Sequence, residues 1–224
     1  MRAKSSEKNQ AIDLRKNGWS YNAIKKSLNI SKGTLSIWLR DMPLSPARIR
    51  ELRNDNEVRI ERYRETRRRT RTALLEKTYK EEKDKIGKLS ARDIFLSGLC
   101  LYWGEGGKTK PAEIHLTNTD PSVIKAFICW IESAFSINRK ETKVKLHLYR
   151  DMDPEKEILF WVKTTGIPTS RFKKPYIKTS TSASITYKNG FGHGTCTVGL
   201  CNATIARKVL MGLEVLKNHF LKQS

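Results

Sequence analysis

The sequence predicts an α+β protein in three parts: a small three-helix module over residues 1–45, a basic helical connector over 46–90, and a mixed α/β domain over 91–224. Three observations lead there. A short opening block places apolar residues at helical spacing, the next 45 residues hold only 12 apolar side chains, and the long remainder mixes two-residue alternation with helical periods. At 224 residues the chain is long enough for one large domain or two small ones, each with a core.

The first helix lies between Ser6 and Gly18, with Ala11, Ile12 and Leu14 as its apolar positions and Gly18 as its stop. Ser20 caps a second helix through about Leu28, with Ala23, Ile24 and Leu28 along one face. Ser31 caps a third, in which Leu35, Trp38 and Leu39 face inward while Lys32, Thr34, Ser36 and Arg40 lie outside that stripe. Ser45-Pro46 opens the connector. Its partial helical spacing (Ile49, Leu52, Ile60, Tyr63) is broken by Arg67-Arg68-Arg69-Thr70-Arg71, and no heptad is sustained. It reads as a solvated helical spacer, or as a basic arm laying Arg67, Arg68 and Arg69 on a phosphate backbone.

Ser90 and Asp93 form a capping-box pattern for the next helix, whose apolar residues from Ile94 to Trp103 surround nearly the whole cylinder and predict burial on all sides. Glu113–Thr117 alternates as a strand, Asp120-Pro121 opens a helix through Phe135, and Lys143–Arg150 alternates again. That strand turns Val144, Leu146 and Leu148 inward and sets Lys143, Lys145, His147 and Tyr149 in an outward row. Asp153-Pro154 starts a helix that ends near Gly166. Residues 176–188 and 193–200 read as two strands of a hairpin joined at Asn189-Gly190, with Lys173, Lys174, Lys178 and Lys188 around it. A last helix carries Ile205, Val209, Leu213, Leu216 and Phe220 as its core stripe.

Lys and Arg total 44 against 23 Asp and Glu, a net charge of +21. The excess is spread as +6, +6 and +9 over the three parts, which points to a polyanionic partner touched by each of them. A 38% hydrophobic share excludes a wholly disordered or collagen-like chain. No apolar run approaches the roughly 20 residues of a membrane span, and the opening residues lack the apolar stretch of a secretory signal, so the expected place is the cytoplasm, on the nucleoid. Cys100, Cys129, Cys196 and Cys201 show no CxxC pairing and are expected to be reduced, buried thiols. The histidines His115, His147, His193 and His219 show no ligand spacing.

The three capped helices of residues 5–41 resemble the helix-turn-helix modules of resolvase-like and homeodomain-like proteins. The resemblance implies that the third helix enters the major groove, with Thr34 and Ser36 meeting base edges and Lys32 and Arg40 meeting backbone. In the main domain, Ser97, Cys100 and Gly104 form a stripe of small side chains that leads to Glu105, a carboxylate between Gly104 and Gly106. This resembles the LAGLIDADG signature of homing endonucleases and their relatives, in a divergent Gly-Glu-Gly form, with Cys100 where glycine or alanine is usual.

In that family two signature helices pack at a twofold axis, and the acid at each helix end binds a divalent metal beside the scissile phosphate. The resemblance implies a saddle-shaped domain over about 91–220 whose sheet faces double-stranded DNA through Lys143, Lys145, His147, Tyr149, Lys173, Lys174 and Lys178. It also implies a homodimer through Ser97, Cys100 and Gly104, with Glu105 as Mg²⁺ ligand and catalytic acid and Lys108 beside it as a charge-balancing cation. A site-specific DNA endonuclease is the leading reading. The alternative is a transcriptional regulator using a non-cleaving clamp of the same shape, and a third class is an RNA-binding protein that assists splicing.

Overall fold

A computed structural model describes residues 5–52, 55–181 and 192–222 and divides the chain into two units, Met1–Gly87 and Lys88–Ser224. The first begins with three short helices, α1 (Ser5–Lys16), α2 (Tyr21–Leu28) and α3 (Lys32–Trp38). Serine caps set two of their starts: the Ser20 hydroxyl accepts the Ala23 N–H at 3.2 Å and the Ser31 hydroxyl accepts the Thr34 N–H at 3.1 Å. Gly18 at φ 80° and Asn29 at φ 50° turn the chain after α1 and α2. Ala11, Tyr21, Ile24, Ile30, Leu35 and Leu39 fill the small core between the three.

That core is completed by polar contacts from the next helices, α4 (Pro46–Arg50) and the 32-residue α5 (Asp55–Ile86). Arg15 and Glu61 are both buried, and Arg15 Nη2 donates to Glu61 Oε2 at 2.8 Å. Ser20 donates to Glu57 Oε1 at 2.7 Å, and the Arg64 guanidinium stacks 3.4 Å from the centre of the Tyr21 ring. The first turns of α5 therefore act as a further helix of the first unit. From Thr66 to Ile86 every residue is exposed, in keeping with a solvated helix laced by i, i+3 and i, i+4 pairs.

The second unit runs α6 (Ala91–Glu105), β1 (Glu113–Asn118), α7 (Pro121–Phe135), β2 (Lys143–Leu148), α8 (Pro154–Thr165), β3 (Tyr176–Ile177), β4 (Thr195–Cys201) and α9 (Ala203–Leu221). Both halves of the Ser90–Asp93 capping box are formed, and Asp120 and Asp153 cap the two proline-led helices. The sheet order is β1-β4-β2-β3, with β4 antiparallel to both neighbours and β3 parallel to β2. Ile114, Leu116, Val144, Leu146, Leu148, Cys196 and Val198 point to one face, where they are fully buried in a core shared with Tyr102, Phe127, Trp130 and Trp161. The sheet thus has one packed face and one open face.

Several expectations are corrected. Among the described residues β3 pairs with β2 and not with β4, so the expected hairpin is absent there; its Asn189-Gly190 turn and Lys188 lie outside the described residues. Tyr149 is buried, because β2 ends at Leu148 and a turn closed by the Met152 N–H on the Tyr149 carbonyl breaks the alternation. Helix α6 is buried on one side only, with Ser97, Cys100 and Gly104 exposed on another. Phe220 is 52% exposed. Three of the four thiols, Cys100, Cys129 and Cys201, are exposed, and only Cys196 is buried, where desolvation pushes its pKa far up. No described helix is long and apolar enough to cross a membrane.

Candidate nucleic-acid interface

On α3, burial of Leu35 and Leu39 fixes which face turns outward. Lys32, Ile37 and Arg40 are exposed and Ser36 is half-buried. Thr34 is committed to the helix cap: its hydroxyl lies 2.9 Å from that of Ser31. Lys32, Ser36 and Arg40 also line a groove of about 1050 Å³ whose other side is the α5 stripe Tyr63, Arg67 and Arg71. Of the expected arginine cluster, Arg67 and Arg68 line this groove and Arg69 does not. Arg68 and Arg69 both bind Glu65, at 2.9 and 2.8 Å, and the hydrogen bonds from Arg68 and then Arg69 hold the Glu65 carboxyl below its ordinary range.

In the second unit the strand register builds the open face. His115, Gly199 and Lys143 stand side by side across three strands, as do Thr117, Thr197 and Lys145, and Thr195, His147 and Tyr176 form a third row. Thr117 and Thr197 share a 2.8 Å hydroxyl contact. Lys143, Lys145, Lys173 and Lys174 are exposed, so cations gather on the β2–β3 half of the face. Lys178 stands 4.6 Å from the centre of the Tyr149 ring beneath it. The His147 pKa is lowered, first by desolvation and then by the neighbouring Lys145 and Lys178 cations, so the ring joins the face as a neutral donor and acceptor near pH 7. The threonines, His115 and Tyr176 were not singled out by sequence. Two-residue alternation in β1 and β4 carried that signal, but the pairing that joins them to β2 did not.

Glu105 is the last residue of α6, exposed, with its Oε2 3.5 Å from Asn118 Nδ2 at the end of β1. The two glycines that follow it have packing reasons. A Cβ on Gly106 would lie 2.3 Å from the Tyr102 ring, and one on Gly107 would lie 2.1 Å from His115 Nε2. The Tyr102 hydroxyl donates to the Gly107 carbonyl, tying this loop to the core. Lys108 is exposed and donates to the Gly106 carbonyl at 2.9 Å, an ordinary contact for a lysine past a helix C-terminus. The close approach on α6 is at Gly98, where a Cβ would overlap the Trp130 ring at 2.0 Å; Gly104 has open space around it. No three His, Cys, Asp or Glu side chains converge as a metal set among the described residues.

Compared with known proteins, the chain matches no family model, no curated protein and no solved structure.

Proposed function

We propose that this protein binds double-stranded DNA through two surfaces, the outward side of α3 acting as a helix-turn-helix recognition helix and the open face of the sheet, and that it acts on the nucleoid. The observation that carries this is the division of β2. Lys143 and Lys145 are exposed, whereas Val144, Leu146 and Leu148 between and beyond them are fully buried, so a rigid core holds a cationic row outward. Next to that row the threonine hydroxyls, His147 and Tyr176 supply polar groups of the kind that meet base edges. The net charge of +21 gives the long-range attraction. Selection of duplexes from a random library by the full-length protein tests the reading. Wild type should enrich a sequence, and Lys143→Ala/Lys145→Ala should weaken binding to every duplex alike; recovery of no sequence by wild type would refute selectivity.

A second reading, hydrolysis of the DNA by a LAGLIDADG-like homodimer, is favoured by one observation: Ser97, Cys100 and Gly104 are exposed along a face of α6 that ends at the exposed Glu105. An acid at a helix C-terminus opposes the macrodipole, and among the described residues Glu105 accepts a 3.5 Å hydrogen bond from Asn118 Nδ2 but has no ion-pair partner. Mg²⁺ is taken through one or two carboxylates together with phosphate oxygens, and since the chain has one signature acid, the LAGLIDADG-like arrangement takes Glu105 from two copies. Glu105 would hold the ion, which when bound stabilises charge on the leaving oxygen. A Mg²⁺-dependent nicking assay with Glu105→Gln as the control separates this from a clamp that only binds.

A further inference from the structure

The groove of about 1050 Å³ between α3 and α5 belongs neither to a recognition helix alone nor to an arm that trails away from it. Its α3 side is Lys32, Ser36 and Arg40, the outward face on which the DNA-binding reading rests. Its α5 side runs from Glu57 to Leu75 and includes Tyr63, Arg67 and Arg71 at i, i+4 spacing. Cationic side chains in the lining outnumber acidic ones six to three. Two of those acids are engaged within the unit, Glu61 by Arg15 and Glu57 by Ser20, which leaves Asp41.

Arg67 and Arg71 have no carboxylate within ion-pair distance among the described residues, in contrast to Arg68 and Arg69. As like charges at i, i+4 they also disfavour the helix that carries them. Two cations kept side by side along a groove without a carboxylate partner, Arg67 with its guanidinium 5.9 Å from the centre of the Tyr63 ring, are open to an external anion.

We propose that α3 and α5 are the two walls of one cleft that grips a strand of the DNA backbone: α3 meets the base edges, and Arg67 and Arg71 hold phosphates of the same duplex. This rests on the reading of α3 as a DNA-contacting helix and adds a defined second contact to it. The spacing suits the ligand. Arg67 and Arg71 are separated by about 6 Å of helix rise, and one strand presents a phosphate about every 3.4 Å along the duplex axis, so the pair covers roughly two phosphates. The anchor contacts Arg15–Glu61, Ser20–Glu57 and Arg64 on Tyr21 fasten the first turns of α5 to α1 and α2, and the Tyr21 hydroxyl donates to the Leu39 carbonyl at the end of α3 at 3.0 Å, so α5 is tied to α3 through α2.

The test compares three full-length proteins on a mixed-sequence duplex by fluorescence anisotropy between 50 and 200 mM salt. They are wild type, Arg67→Ala/Arg71→Ala, and Lys80→Ala/Lys83→Ala, which removes the same charge from the same helix outside the groove. Alanine favours the helix, so both variants keep α5. Releasing two fewer counterions lowers the log–log salt slope of the arginine variant by about 1.8, so raising the salt fourfold weakens it about 12-fold less than wild type. The lysine variant keeps the wild-type slope. Equal slopes for the two variants overturn the cleft while leaving DNA binding intact, and leave the groove to an acidic protein segment. Absence of any duplex binding by wild type is the different failure, since it removes the DNA reading as well.

Discussion

Removing Glu61 should loosen the first unit far more than removing any other carboxylate of α5. The side chains of Arg15 and Glu61 are 2% and 4% exposed, and the guanidinium makes two bonds to the carboxylate, at 3.2 and 2.8 Å. Breaking a buried pair by removing one partner costs about 3–5 kcal/mol, because the remaining charge stays buried. Here the remaining Arg15 keeps two acceptors, the Met42 carbonyl at 2.8 Å and the Trp19 carbonyl at 3.0 Å, which places Glu61→Ala at the lower end of that range. A loss of about 3 kcal/mol corresponds to roughly 160-fold faster opening at 1.36 kcal/mol per decade.

Peptide-resolved hydrogen exchange of the full chain reads this directly, as lost protection in α1 and in the first turns of α5. Glu65→Ala is the control. Its partners Arg68 and Arg69 are on the surface, where such pairs are worth about 0.2–1 kcal/mol, so exchange in α1 should barely change. The double replacement Arg15→Met/Glu61→Leu should recover most of the protection, since a buried pair often gives way to apolar residues without loss. A Glu61→Ala protein whose α1 protection falls less than tenfold would refute the argument that this pair fastens α5 to the three helices.

Other outcomes follow from single positions. Gly98→Ala drives a methyl group into the Trp130 ring and should destabilise the second unit by about 1–3 kcal/mol in urea titration, the usual range for overpacking. Gly104→Ala meets open space and should stabilise α6 by up to about 1 kcal/mol through helix propensity, with Gly104→Leu lowering the dimer fraction in sedimentation if α6 pairs with a second copy. For His147 the folded pKa lies below the ordinary value, so the unfolded chain binds more protons as pH drops below about 6.5; stability present above that pH is lost on the way down, and His147→Gln should flatten the loss. DNA affinity should move the opposite way over the same window, rising as the His147 ring gains charge, when titrated at constant salt.

Much of the fold was legible because its punctuation is local. Ser20, Ser31, Ser45, Ser90, Asp120 and Asp153 each begin a helix, and a cap needs only a side-chain oxygen and the N–H groups two or three residues on. The outward lysines of β2 were legible for the same reason, since alternation is a property of one strand. What was not legible is non-local. Arg15 and Glu61 look like solvent-facing charges on two separate helices, and their burial depends on a pairing 46 residues apart.

The place of β4 between β1 and β2 depends on register across about 50 and 80 residues, and the Asn189-Gly190 signal drew attention to a neighbour that β4 does not have among the described residues. The small-residue stripe of α6 was visible, but which small residue takes the intrachain contact was not. Gly98 faces Trp130, while Ser97, Cys100 and Gly104 are left outside. At the candidate site, the arginine run showed its charge in sequence. That Arg71 joins Arg67 in the groove while Arg69 turns to Glu65 follows only from the helix face that is fastened to Arg15, Ser20 and Tyr21.

If this chain holds duplex DNA through cations spread over both units, the affinity of the wild-type protein for a duplex falls steeply as salt is raised. Each phosphate neutralised contributes about −0.9 to the log–log slope of affinity against salt. Lys32, Arg40, Arg67 and Arg71 in the first unit and Lys143, Lys145, Lys173 and Lys174 in the second give the candidates. If about five of these reach phosphate, the slope is steeper than about −4, and that is the predicted result; a slope near zero from 50 to 200 mM salt, or binding no tighter than that of a neutral polymer, would contradict it.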